Sequence, residues 1–278
     1  MTTESNNTGG EPVAGPSRLL IALSSGADSG VELSWGAVLA RAMKVPVTLL
    51  HLLDPATSRD PGDRATAIAS DLLAIAATDH RLHGLEVETQ VRMGLPHEEL
   101  RRATVETPGS IPLIHAGTPG MLKRALLGTD SHAMIRAMGS PFIILPPDAI
   151  PAIEVQRAVV GYDGSPLAEH VTTVSEGIAA SLGIHLIRVE AIEPASRDGV
   201  EFLKVEPQVQ GNRVVVRGRA GETLLAVARA RNAGLIMVGS HGRGQMTRLF
   251  LGSTSEWLVD RSDRPLLIVP QALLDAGR

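Results

Sequence analysis

The sequence predicts an α/β protein with parallel sheets, built twice over, and three observations carry that prediction. Short runs rich in Leu, Ile, Val or Thr, bounded by turn residues, alternate with longer stretches that suit helices, the rhythm of βαβ units. The chain of 278 residues is long for one compact domain and comfortable for two. Several segments of the first half recur in the second, as a duplicated unit requires.

In the first half, strands are expected at Leu19–Leu23, Val47–Leu52, Val87–Val91, Pro112–His115 and Phe142–Leu145. Helices are expected between them at Asp28–Met43, Arg64–Leu82, His97–Val105 and Asp130–Met138. The second half repeats the pattern, with strands at Ala158–Tyr162, His185–Ala191, Arg213–Val216, Leu235–Val238 and Leu266–Val269. Its helices fall at Leu167–Leu182, Glu222–Asn232 and Thr254–Arg261. The stretch Glu193–Asn212 carries little helical pattern, and Glu201-Phe-Leu-Lys-Val-Glu206 reads equally as loop or extra strand.

The repeat is visible residue by residue. Leu113-Ile-His-Ala-Gly117-Thr aligns with Leu235-Ile-Met-Val-Gly239-Ser, and Arg124-Ala-Leu-Leu-Gly128 with Arg248-Leu-Phe-Leu-Gly252. Ser140-Pro-Phe-Ile-Ile-Leu-Pro146 matches Arg264-Pro-Leu-Leu-Ile-Val-Pro270, and Arg18-Leu-Leu-Ile-Ala-Leu matches Arg157-Ala-Val-Val-Gly-Tyr. Prolines in Pro146-Pro-Asp-Ala-Ile-Pro151 disfavour both helix and sheet interior, so the boundary is set there. The expected division is a polar tail at 1–17, a first unit at 18–148 and a second at 149–278.

Composition removes several function classes. The chain is 44% hydrophobic and 20% charged with a net charge of −4, so nothing attracts it globally to a polyanion. With two Trp, one Tyr and three Phe it lacks the stacking platforms of single-strand binders, so no nucleic acid is expected. With no Cys, thiolate zinc, Fe–S clusters and cysteine nucleophiles are excluded. The N-terminal tail has no Lys or Arg before Arg18 and no apolar core of a secretory signal. No apolar run approaches the roughly 18 residues of a membrane helix, so a cytoplasmic protein with no membrane role is expected.

The chemistry concentrates in Leu235-Ile-Met-Val-Gly-Ser-His-Gly-Arg-Gly244 and its continuation to Gly252-Ser253. Gly239 and Gly242, coming off a buried strand, are expected to take positive φ and turn successive N–H groups into one phosphate-sized nest. Gly252-Ser253 stands where the next helix begins, so free amides and the positive helix end face the same point. Arg243 adds a local positive charge, His241 is the near-neutral titrator of the loop, and Thr254 lies in the first helical turn. Asp163, in Val160-Gly-Tyr-Asp-Gly-Ser165, reads on its own as a turn residue or as a ligand to a nucleotide.

The combination of Asp163 with Gly239-x2-Gly242-x9-Gly252-Ser253 resembles the universal stress protein family, and the likeness runs from Arg18 to Pro270. What the resemblance implies is two tandem doubly wound five-stranded parallel sheets in order 3-2-1-4-5, with helices on both faces. It further implies ATP at the carboxyl ends of the strands, beside the point where strand order reverses. The glycine loops would hold the phosphates, Asp163 would lie by the ribose and phosphates with Mg or Mn, and Ala191 would line the adenine slot between Tyr162 and Val238. It also implies a nucleotide-dependent modulator of stress or dormancy, assembled as a homodimer of tandem chains, with fifth strands pairing across a dimer axis or within the chain.

The first unit departs from the pattern. Ser24 stands for Asp163, the glycine spacing shortens to Gly117-x2-Gly120-x7-Gly128, and Pro119 stands for His241. One ATP per chain, in the second unit, is therefore expected. No strong general base accompanies the site, so slow ATP hydrolysis is the most its chemistry supports. Two other readings remain at this stage. A structural interaction protein would have lost its ligand, and Ser24-Ser-Gly-Ala-Asp-Ser29 is close to the pyrophosphate loop of ATP pyrophosphatases, which would make the first half an adenylating enzyme. His80 and His83 share a helix face but have no convergent carboxylate to complete a metal site.

Overall fold

The computed structural model describes residues 15–23, 29–54, 62–116, 138–146, 149–150, 154–192, 208–240 and 252–270. The first half runs β1 (Arg18–Leu23), α1 (Gly30–Met43), β2 (Val47–Leu53), α2 (Gly62–Ala77), β3 (Val87–Met93), α3 (Pro96–Glu106), β4 (Ser110–His115) and β5 (Phe142–Leu145). The second runs β6 (Arg157–Tyr162), α4 (Pro166–Leu182), β7 (His185–Ile192), β8 (Gln208–Gln210), β9 (Arg213–Arg217), α5 (Ala220–Ala230), β10 (Leu235–Gly239), α6 (Ser253–Arg261) and β11 (Leu266–Val269). The expected helix Asp130–Met138 lies outside the described residues apart from Met138, which is buried.

All these strands form one eleven-stranded sheet in the order β3-β2-β1-β4-β5-β11-β10-β6-β7-β9-β8. Each half contributes the order 3-2-1-4-5, as the resemblance implies. The two expected sheets are continuous with each other because β5 and β11 pair antiparallel, Phe142 opposite Ile268 and Ile144 opposite Leu266. Fifth strands of wholly apolar side chains thus cover each other's edges within one chain. The second half carries a sixth strand, β8, at Gln208–Gln210, while the stretch Glu201–Glu206 lies outside the described residues. It is a hairpin partner of β9, joined through Gly211-Asn212 with Gly211 at φ +60. A two-residue Gly-Asn loop between short runs was the signal for it.

Helices α1, α2 and α4 cover one face of the sheet, and α3, α5 and α6 cover the other. The first core is continuous across the halves, running from Leu19, Leu33 and Leu73 to Val160, Val171 and Leu267. The second joins Leu50, Leu100 and Ile144 to Val159, Leu224, Leu258 and Ile268. The chain between the halves is held to α1, whose Trp35 Nε1 donates to the carbonyl of Ile150 at 2.7 Å. Among the described residues no helix is long and apolar enough to cross a membrane.

Helix ends differ from expectation where local polar chemistry intervenes. The helix expected over Arg64–Leu82 stops at Ala77, and His80–Leu82 is a separate 3-10 turn. Asp79 caps that turn by accepting from the Arg81 amide at 2.9 Å. Its hydrogen-bonded Arg81 guanidinium holds the Asp79 carboxyl at about 2. The helix expected to reach Asn232 ends at Ala230, because Asn232 takes a left-handed φ of 50. Among the described residues no cluster of three or more His, Asp or Glu is placed to hold a metal.

Strand register corrects the alignment of the two halves. Leu113 pairs with Ile21 and Ile143, and Met237 pairs with Val160 and Leu267, so these two residues are counterparts. His115 opposite Leu145 then corresponds to Gly239 opposite Val269, and not to Met237. The residue matched to Gly239 by sequence, Gly117, belongs two positions later. A slip of two residues keeps every side chain on its own face, so apolar patterning had no means of detecting it. In the corrected register the shortening of the first glycine loop disappears.

Candidate functional site

Strands β6 and β10 are parallel neighbours, while the helical connections from them leave to opposite faces, so their carboxyl ends border a crevice. On the β6 side Tyr162 and Asp163 follow directly. The Ser165 amide donates to Asp163 Oδ1 at 2.9 Å, with Gly164 between them at φ +73. Ser165 Oγ then accepts from the Ala168 amide at 3.1 Å and caps α4. Asp163 is thereby fixed at the crevice by the same turn that starts the helix.

On the other side, β10 is clasped to the beginning of α6. The Gly252 amide donates to the Ser240 carbonyl at 2.6 Å, and Ser255 Oγ donates to the Gly239 carbonyl at 2.8 Å. The Ser240 amide in turn donates to Val269 at 3.0 Å. The intervening loop, which contains His241, Gly242 and Arg243, lies outside the described residues. Its two ends are held together, so the first-turn amides of Ser253 and Thr254 stand beside Gly239, where helix geometry leaves them without intrahelical acceptors. Ser240 and Ser255 were not singled out from sequence, although Ser255 matches Ser131 in the repeat.

Gly239 is not among the residues with positive φ, which corrects the expectation that it supplies a left-handed turn. It is an extended strand residue, and its use is the missing side chain. In the first half the same position carries His115, whose Nδ1 lies 3.3 Å from Glu32 Oε1. Glu32 is fully buried. Counting from the left-handed caps Lys44 and Gly183, the residue opposite Glu32 in the second half is Val171, in the apolar core. At this position the first half thus carries an imidazole set against a buried carboxylate, while the second has no side chain at Gly239.

Strand alternation sorts the remaining expected residues. Ala191 and Val238 lie at the same edge on the face covered by α5, where Val238 belongs to the second core. Tyr162 is at that edge too, but its side chain turns to the α4 face. There its hydroxyl donates to Glu169, and the Arg188 guanidinium stacks 3.2 Å from the ring centroid. The Glu169 hydrogen bond pushes the Tyr162 pKa up. Tyr162 therefore borders the crevice through its backbone, and its ring is held away from Ala191 and Val238.

Close packing sets the position of α6. A Cβ on Gly221 in α5 would fall 2.7 Å from Cε3 of Trp257 in α6. Gly221→Ala is expected to push α6 outward, costing about 1–3 kcal/mol by overpacking. Thermal denaturation checks the cost. ATP titration of the same variant is expected to show weaker binding, since the amides of Ser253 and Thr254 move with the helix.

His51 on β2 lies in the same row as Leu23, at the carboxyl edge of the first half. Burial lowers its pKa, so the folded state favours neutral imidazole over its charged form. Its contribution to stability is complete above the ordinary value of about 6.5 and is lost as pH falls through and below that value. His51→Leu is expected to flatten that part of the melting-temperature profile, measured between about pH 7 and pH 5.

The sequence model described as the universal stress protein family matches residues 197–270. A universal stress protein of Mycobacterium tuberculosis (strain ATCC 25618 / H37Rv) is 27% identical over 292 residues, covering 91% of this chain and 97% of its own. One from Mycolicibacterium smegmatis (strain ATCC 700084 / mc(2)155) is 26% identical over 288 residues, covering 90% and 96%. The fold also matches a solved universal stress protein from Archaeoglobus fulgidus DSM 4304, with TM-score 0.64, 20% identity and coverage of 91% and 96%. The likeness to universal stress proteins thus covers nine-tenths of the chain, and the twofold 3-2-1-4-5 order is what a tandem of two such units would show.

Proposed function

We propose that this protein binds ATP at the carboxyl edge of its second half, one nucleotide per chain, and that occupancy modulates a stress or dormancy response. The observation that supports this reading best is the contrast at one register position. Gly239 carries no side chain at the position where the other half has His115 set against the buried Glu32. Amides of Ser253 and Thr254, with Gly242 and Arg243 of the loop, would meet the phosphates. Asp163 would approach the ribose or a phosphate-bound Mg or Mn, and Ala191 with Val238 would flank the base. A divalent ion would take its other ligands from phosphate oxygens and water, since the described residues supply no acidic cluster. A cytoplasmic setting and pairing of two tandem chains belong to the same proposal. Nucleotide can act on such an assembly only through unequal affinity for its conformations.

The test is isothermal titration of ATP against the intact chain, together with denaturing extraction of the freshly purified protein. A stoichiometry near one and co-purified adenine nucleotide are the expected results. Absence of both would leave a structural interaction protein in which Asp163 serves only the turn into α4.

A further inference from the structure

A cleft of about 610 Å³ lies at the seam between the halves, walled by α1 on one side and by the entry to β6 and the end of α4 on the other. It is remote along β6 from the proposed nucleotide site, because Arg157 opens that strand and Asp163 follows its last residue. Its volume falls in the range of small-molecule sites, about 300–1,000 Å³.

The lining divides into two chemistries. Val38 and Ala42 of α1 face Val155 and Leu182 across an aliphatic floor. Around it stand Arg41, Arg157 and His185, against the single carboxylate of Glu154. Glu154 already accepts from Gln156 Nε2 at 3.2 Å. Arg41 is held in place by its Nη2, which donates to the carbonyls of Arg81 at 2.5 Å and His83 at 3.0 Å. Among the described residues the Arg157 guanidinium makes no hydrogen bond or ion pair. Cations therefore outnumber acids in this concavity, although the chain as a whole carries a net charge of −4.

We propose that the seam binds a small organic anion with an apolar body. Guanidinium groups present planar, paired donors that match a carboxylate, sulfonate or phosphate head. Arg157, with Arg41 beside it, takes that head, and the aliphatic floor takes the body. Because the walls come from both halves, a bound anion ties the first half to the second and adds to the stability of their junction by mass action.

The probe is 8-anilinonaphthalene-1-sulfonate, a fluorescent sulfonate with an aromatic body, titrated against the full-length chain with and without excess decanoate. Saturable binding of one dye per chain, displaced by decanoate, is expected. Arg157→Gln, an exposed change, should weaken the dye about tenfold while leaving ATP titration and the dye-free melting temperature unaltered. Ile75→Ser, on the exposed stripe of Ile68, Leu72 and Ile75 of α2, should leave dye affinity unchanged. Unchanged affinity in Arg157→Gln, or loss of the dye in Ile75→Ser, overturns the proposal, because the dye then sits on general apolar surface. A dye-free wild type at saturating concentration overturns it as well.

Discussion

Gly239→His is expected to abolish ATP binding by the second half. Imidazole is what the first half carries at the same register position, opposite Leu145 where Gly239 is opposite Val269. The backbone of Gly239 has no positive φ, so a side chain is accepted without left-handed strain, and the variant should fold. What changes is the crevice. The ring would occupy space between Asp163 and the first turn of α6, and Val171 offers it no carboxylate in which to bury. Displacing a phosphate from two charge-assisted hydrogen bonds removes about 3–6 kcal/mol, at 1.5–3 each. Micromolar affinity corresponds to about 8 kcal/mol, so a loss of at least about a hundredfold should be read by calorimetry. Gly242→Trp, which places an indole in the glycine loop, is expected to give the same outcome from the other side. Full ATP affinity in both variants would move the nucleotide away from this pocket altogether.

His115→Ala is expected to destabilise the chain by about 1–3 kcal/mol, because it removes the imidazole from beside a buried carboxylate that has no hydrogen-bond partner of its own among the described residues. Glu32 is fully buried, and His115 Nδ1 stands 3.3 Å from its Oε1. The decisive comparison is the double change Glu32→Val with His115→Gly, which installs in the first half what the second half has at Val171 and Gly239. A buried polar pair replaced by apolar packing is often neutral in stability, whereas a half-removed pair is not. The double variant should therefore melt well above His115→Ala in a denaturant or thermal scan. If the single change melts like wild type, the buried carboxylate is not dependent on the imidazole.

Most of the architecture is legible in the sequence. Runs such as Leu19–Leu23 and Leu266–Val269, bounded by turn residues, read as buried strands, and the recurrence of Pro141-Phe-Ile-Ile as Pro265-Leu-Leu-Ile betrays the duplication. At the site, glycine spacing and a strand-end aspartate are local features of the sequence, whereas the meeting of Asp163 with Gly239 and Gly252 is what the family resemblance implies. Tyr162 was placed at the right edge but on the wrong face, since its direction depends on Glu169 and Arg188 beside it. Glu32 passed unnoticed: a Glu in a helix reads as a solvated residue until the strand beneath it brings up a histidine.

The order of the strands came from a family resemblance; what periodicity, turn chemistry and internal repetition in the chain alone determined was the α/β class and the two units. These depend on interactions among residues close in sequence, or on patterns that repeat. Only the folded molecule decided that the two sheets are one, that β8 joins as a hairpin strand, and that His115 occupies the place of Gly239. Each of those rests on register between distant strands, and a shift of two residues leaves inside and outside unchanged while exchanging a glycine for an imidazole at the mouth of the crevice.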